Sequence, residues 1–200
     1  MEKYNFRFVN DSENPNKGLT DTEIDFLQEK LNLKFPPMYI FYLQNAGQNS
    51  NVFRIETDTN QLIKIQKELR LELDKLKVLQ NENILCIKKY EVYEEYFSSN
   101  FETYYFFNLS ENKRNPTLYI FEEVCINDGW KAFEKRITKV KEKNFSMFIN
   151  NRTDEKYGIS IKQHFKNIPF YIISVPISII LIIVSVFQIL KEKILSKRKN

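Results

Sequence analysis

The sequence predicts a domain of mixed helices and strands followed by one C-terminal transmembrane helix. Three observations predict it. Helical signals, apolar spacing with caps and a first-turn proline, recur in three segments between about 21 and 80. Short runs rich in aromatic and β-branched residues follow between about 84 and 122. The segment 168–190 then holds 23 residues without a charge.

Each element has a local cause. Tyr4, Phe6, Phe8 and Val9 stand in a polar stretch over 1–18, and the Phe6/Phe8 alternation predicts a short strand or an extended arm. Thr20-Asp-Thr-Glu23 is a capping box, with Leu19 and Ile24 placed as a hydrophobic staple. Ile24, Leu27 and Leu31 then share one face of a first helix over 21–32, with Phe26 one step off it. Pro36-Pro37 suits a first helical turn, so a second helix covers 37–46 and stops at Gly47. Leu62, Ile65, Leu69, Leu73 and Leu76 form the stripe of a third helix over 61–80. Ile84–Ile87, Thr103–Asn108 and Thr117–Glu122 read as strands, with a turn at Asn112–Pro116. Phe133, Ile137, Val140, Phe145, Phe148 and Ile149 predict a terminal helical region over 129–150. The division is therefore an arm at 1–18, a domain at 19–150, a linker at 151–167, a membrane helix at 168–190 and a tail at 191–200.

Charge supports that division. The net charge is +4, yet residues 1–167 balance and 168–190 carry none. The excess lies in Lys191, Lys193, Lys197, Arg198 and Lys199 against Glu192. Cations confined to one end of an apolar run suit a membrane interface and not a nucleic-acid surface. As a helix the run spans about 35 Å, enough for a hydrocarbon core of about 30 Å. Pro176 predicts a kink. Residues 1–10 hold no apolar run, so no signal peptide is expected and the domain is placed on the cytoplasmic side. The basic tail pulls the other way, favouring a cytoplasmic C-terminus.

Composition narrows the chemistry. One histidine (His164), two cysteines (Cys86 and Cys125) and four glycines exclude a two-histidine metal site, a four-cysteine zinc site and a Gly-rich phosphate loop. Cys86 lies in an apolar run and reads as a small buried hydrophobe. No enzyme activity, cofactor, metal, nucleic acid or small-molecule substrate is expected. The 21 asparagines and two alanines reflect coding bias more than function.

Two features read as a binding surface. One is acidic: Glu91, Glu94 and Glu95, with Glu102, Glu122 and Glu123, suited to a basic protein partner such as a nuclease toxin. Its alternative is a solvated face near Lys88 and Lys89. The other is aromatic: Tyr90, Tyr93, Tyr96, Phe97, Phe101, Tyr104 and Tyr105, interface anchors or core. Trp130, after Gly129, is a further candidate anchor.

Leu19-Thr-Asp-Thr-Glu-Ile24, Leu31-Asn-Leu-Lys-Phe-Pro36 and the aromatic helix closing on Asn45-Ala46-Gly47 together resemble the opening of the SUKH superfamily, which includes the Smi/Knr-type domains. Phe145-Ser-Met-Phe-Ile149 is similar to the family's closing helix. The resemblance covers about residues 18–150, departing at Ala46 and in the long charged third helix. It implies an α+β fold, a small antiparallel-type sheet packed by helices. It also implies a function: bacterial members are mostly immunity proteins that neutralise a cognate toxin by binding it, without catalysis. Eukaryotic relatives regulate through protein contacts, so a membrane-tethered adaptor is the alternative.

Overall fold

The computed structural model describes residues 6–77, 83–94, 99–125 and 133–158. These form an α+β fold with four α-helices and a four-stranded antiparallel sheet. The helices are α1 (Asp21–Leu31), α2 (Pro37–Ala46), α3 (Thr59–Leu76) and α4 (Phe145–Tyr157), and the strands are β1 (Ile84–Glu94), β2 (Ser99–Asn108), β3 (Leu118–Cys125) and β4 (Phe133–Lys139). Strand order follows chain order, β1-β2-β3-β4, so every strand pairs with its sequence neighbour.

The helix starts follow from the sequence. Thr20 Oγ1 accepts from the Glu23 amide while the Thr20 amide donates to the Glu23 carboxylate, completing the capping box. Ile24 and Leu27 are buried and Leu31 is half-buried, whereas Phe26 is 46% exposed with Lys30 over its ring. Asp58 caps α3 through the Gln61 amide. Gly47 does end α2, but with a right-handed backbone (φ −69°). It is required for space: a Cβ there would stand 2.6 Å from the Leu43 carbonyl oxygen and 3.0 Å from Leu19 Cγ. Gly18 is tighter still, at 1.8 Å from the Gln44 carbonyl oxygen. These two glycines let the segment entering α1 lie against the end of α2, where the Leu19 amide donates to the Leu43 carbonyl at 2.9 Å.

Two expectations need correction. The 129–150 region is not helical throughout: Phe133–Lys139 is a strand, and the helix begins only at Phe145. That helix runs past residue 150 to Tyr157, and the compact unit ends at Lys156. Arg7 pairs with Asp154, and the Lys156 ammonium donates to the Asn51 carbonyl, so residues 151–156 belong to the domain and not to a linker. The N-terminal arm takes one of its two expected forms, extended and without a strand over 6–10. Phe6 packs on Phe41, Tyr42 and Phe145, and Phe8 on Phe41 and Tyr42.

The sheet is covered on both sides. On one, Leu62, Ile65, Leu69 and Leu73 of α3 are buried together with Cys86, Tyr104, Phe106 and Phe121 of the sheet. Gln66, in the same stripe, is buried too. Its Nε2 donates to the Ile84 carbonyl at 2.7 Å and its Oε1 accepts from the Cys86 amide at 2.8 Å. One amide side chain thus stands in for a missing neighbour strand along the edge of β1. On the other side, Phe107 packs on Tyr39 and Phe145, and Tyr105 on Phe53 and Phe148. The Tyr42 hydroxyl closes this core by donating to the Phe53 carbonyl at 2.6 Å, and burial pushes that phenol above its ordinary range.

Candidate interaction surface on the first hairpin

The β1–β2 hairpin carries most of the residues singled out from the sequence, and one irregularity decides how it presents them. The pairing runs Ile84↔Asn108, Leu85↔Phe107, Cys86↔Phe106, and then shifts so that Lys88 meets Tyr105 and Lys89 meets Tyr104. Ile87 is the extra residue of a β-bulge, and its carbonyl accepts from the Glu56 amide at 2.9 Å. Without the bulge, alternation would place Lys88 on the Cys86 side, beneath α3. With it, Lys88 joins Tyr105 on the opposite side and Lys89 takes the place beneath α3.

Lys89 is saturated. Its ammonium lies 2.9 Å from Glu68, 2.8 Å from Glu91 and 2.7 Å from Glu102. The Tyr104 hydroxyl donates to Glu102 at 2.7 Å. Glu91 and Glu102 are directly opposite across the strands, a repulsive pair that the lysine bridges. Burial alone would lower the Lys89 pKa, but the bonds to Glu102, Glu91 and Glu68 outweigh it and hold the ammonium above its ordinary range. Burial likewise opposes ionisation of Glu102, yet the Lys89 and Tyr104 bonds leave its carboxyl below the usual range. Next along α3, Glu72 holds Lys135 at 2.7 Å and Lys75 at 2.6 Å.

Lys88 is the opposite case. Its ammonium sits 4.6 Å from the centre of the Phe53 ring and 4.1 Å from that of Tyr90. Tyr90 stands edge-on to Tyr105 at 5.8 Å, and Phe53 edge-on to Phe148 at 5.0 Å. Arg152 of α4 lies over Phe148 at 5.2 Å. Among the described residues Lys88 makes no ion pair. Desolvation lowers its pKa to about 8, Arg54 adding to the effect and Glu56 opposing it. Tyr90 is 42% exposed and roofs this cluster.

Among the described residues, the acidic Glu91 and the aromatic Tyr90 lie on opposite sides of the sheet, while Glu102 bonds Tyr104 and Glu122 shares the Tyr90 side. Glu91 is on the α3 side with half of its side chain exposed, already bonded to Lys89, while Tyr90 is on the other side. Glu122 bonds Arg136 at 2.8 Å. Tyr104 is core, and Tyr105 is half-buried. Tyr93 and Glu94 stand at the end of β1, opposite Asn100 and Ser99. Glu95, Tyr96, Phe97, Trp130, His164, the run 168–190 and Lys191, Lys193, Lys197, Arg198 and Lys199 lie outside the described residues. Sequence reading missed Lys88 as a site. The only signal was the Lys88-Lys89 pair at the end of an apolar run, and that pair does not reveal a bulge.

Elsewhere among the described residues, chemically reactive groups are sparse. Cys86 is fully buried and its thiol is pushed up to about 12, chiefly by burial, so it is not a poised nucleophile. No group of three or more His, Cys, Asp and Glu residues is placed to hold a metal ion among the described residues. A cleft of about 380 Å³ beside the start of α2 is lined by Lys34, Lys113 and Arg114. The helix offers it few amides: Pro37 has none, and the Met38 amide donates to the Arg114 carbonyl at 3.0 Å. Among the described residues no helix is long and apolar enough to cross a membrane. No protein-family model, no curated protein and no solved structure matches the chain.

Proposed function

We propose that this protein is a SUKH-type immunity protein, anchored in a membrane by residues 168–190, that neutralises a cognate toxin by direct binding without catalysis. The observation that carries the binding reading is the Tyr90 cluster. An exposed tyrosine stands over a half-buried lysine, backed by Phe53, Tyr105 and Phe148, with an arginine beside it. Tyrosine, tryptophan and arginine in packed surroundings are the residues that dominate interface energies. The hairpin that presents them is tied down on both sides, so little ordering cost is left for association. The opening motif and the order of three helices, four strands and a closing helix support the family assignment.

The anchor supplies effective concentration. Holding the domain at the cytoplasmic face of a membrane raises encounter with a toxin arriving there, without any new contact. The uncharged run would keep the protein in membranes through high-salt and alkaline washing, whereas attachment by the basic tail alone, resting on screened attraction, would be released.

The test is co-expression with toxin genes from the same locus, with and without residues 168–200. Stoichiometric protection supports the reading. If no neighbouring gene is toxic, or the folded protein rescues none, the membrane-tethered adaptor replaces it. Equal protection by the shortened form removes the anchor from the mechanism and leaves the binding.

A further inference from the structure

We propose that Lys88, flanked by Phe53 and Tyr90, is the receiving cation of a carboxylate-binding site for an acidic side chain on a protein partner. The inference rests on the binding reading above and names the chemistry of the partner surface.

Four observations converge. The Lys88 ammonium has ring faces at 4.1 and 4.6 Å and no ion pair among the described residues. Three ammonium protons in a half-buried place want acceptors, and the rings offer only their π faces. Second, the place is reached by a β-bulge, a device that re-aims side chains at the cost of a ladder position. The adjacent Lys89 collects three carboxylates, so the domain is not short of acids with which to neutralise a lysine. Third, the site is open on the Tyr90 side, where the ring is 42% exposed. Fourth, the rings suit the methylene stem of an aspartate or glutamate while its planar carboxylate meets the ammonium.

Charge selects carboxylate side chains over a nucleic-acid backbone. The groups around Lys88 are Arg54 and Glu56 from the loop before α3, Tyr90 on its own strand, Tyr105 on β2 and, beyond Tyr105, Arg152 on α4. Arg152 is already paired with Glu155 at 2.8 Å, and Arg136, further across the sheet, with Glu122. A nucleic-acid backbone needs an extended cationic stripe; here it would meet Glu56, Glu155 and Glu122. A carboxylate side chain needs only the Lys88 ammonium, which makes no ion pair among the described residues, and it meets Arg54 as well as Glu56 beside it.

Binding and protonation are then linked. A bound carboxylate favours the ammonium form, so the complex takes up a proton near pH 8, and affinity falls as pH rises above about 8. The experiment uses the full chain in lipid nanodiscs with ¹³C-labelled lysines. The probes are a deca-glutamate peptide, a deca-lysine peptide and a ten-residue oligothymidylate. The expected result is that deca-glutamate alone moves the Lys88 ¹³Cε titration midpoint up by a unit or more. Lys88→Gln should weaken peptide binding at least tenfold, Lys88→Arg should keep most of it, and Lys64→Gln should change nothing. An unmoved Lys88 midpoint at saturating peptide overturns the proposal. Equal or stronger binding of oligothymidylate at Lys88 also overturns it, assigning the site to phosphate. In the co-expression assay, protection that survives Lys88→Gln overturns the Lys88 site while the immunity reading stands. Absence of protection in every form, with Lys88 still answering deca-glutamate, sinks the toxin and keeps the site.

Discussion

Lys88 and Lys89 are consecutive residues with the same side chain, and the sheet gives them opposite fates. Beneath α3, Lys89 joins Glu68, Glu91 and Glu102 in one network, and its proton is held more tightly than in water. On the aromatic side, Lys88 faces rings, Arg54 and, without an ion pair, Glu56; burial dominates, and its proton is held less tightly. Burial acts against the charge in both; what differs is the company. A charged side chain is stabilising or costly according to the acceptors that meet it, and here one bulged residue, Ile87, decides which lysine gets them. On the α3 side, Lys89 finds its acceptors within the chain. The other side keeps a cation whose best acceptor is not in the described domain, which is the reason to place the partner there.

The comparison is broken most severely by removing the aromatic wall. Phe148→Ala deletes the ring between Phe53, Tyr105 and Arg152 and should cost about 3–5 kcal/mol in urea unfolding. A loss below about 1 kcal/mol would mean that the wall is loosely packed and cannot hold Lys88 in place. Next, Lys89→Met should cost about 2–3 kcal/mol, because Glu68, Glu91 and Glu102 lose their shared donor and repel one another. The pH dependence sharpens this. The Glu102 and Glu72 carboxyls lie below their ordinary range in the folded chain. Their stabilisation is therefore present above about pH 4.5 and lost as pH falls through the folded values. Wild type should lose stability steeply below about pH 4.5, and Lys89→Met less steeply. Parallel curves would show that the network contributes nothing. Away from both lysines, Thr20→Ala should cost about 1 kcal/mol as a lost cap, leaving the titration of Lys88 unchanged.

The helices were the legible part, because their signals are local. The capping box at Thr20, Pro37 at the first turn and the α3 stripe each fix a boundary within a few residues. The last strand was not. Phe133 and Ile137 are four apart, an even spacing that suits one face of a strand as well as one turn of a helix. Val140 and Phe145 then extended the apparent helical run. Asn144 marked the break, since its Oδ1 accepts from the Met147 amide at the start of α4. The acidic cluster was legible as composition but not as a surface. Neither Glu91's bond to Lys89 nor Glu122's pairing with Arg136 can be read without the register. The Lys88 site was illegible for the same reason: a bulge shifts alternation by one and leaves no trace in residue types.

The smallest expected effect is the sharpest test, because it uses the same substitution on the neighbouring residue. Lys88→Met keeps an unbranched stem and places a polarizable sulfur against Phe53 and Tyr90. It removes the desolvated charge and leaves no carboxylate without its partner, as Lys88 makes no ion pair among the described residues. The lost cation–π contact and the relieved desolvation oppose each other, and solvent screening at a half-exposed site shrinks both. At pH 7 the variant should be as stable as wild type or more stable by about 0.5 kcal/mol. The sign follows from the lowered pKa. Between about pH 8 and the ordinary lysine value of 10.5, the unfolded chain holds a proton that the folded chain has released, so wild-type stability rises with pH through that window. Any advantage of Lys88→Met should therefore shrink from pH 7 to pH 9.5, read as converging urea midpoints. A variant destabilised by 2 kcal/mol at pH 7, like the Lys89 one, would mean that Lys88 already has its acceptor within the chain, and the contrast between the two sides of the sheet would fail.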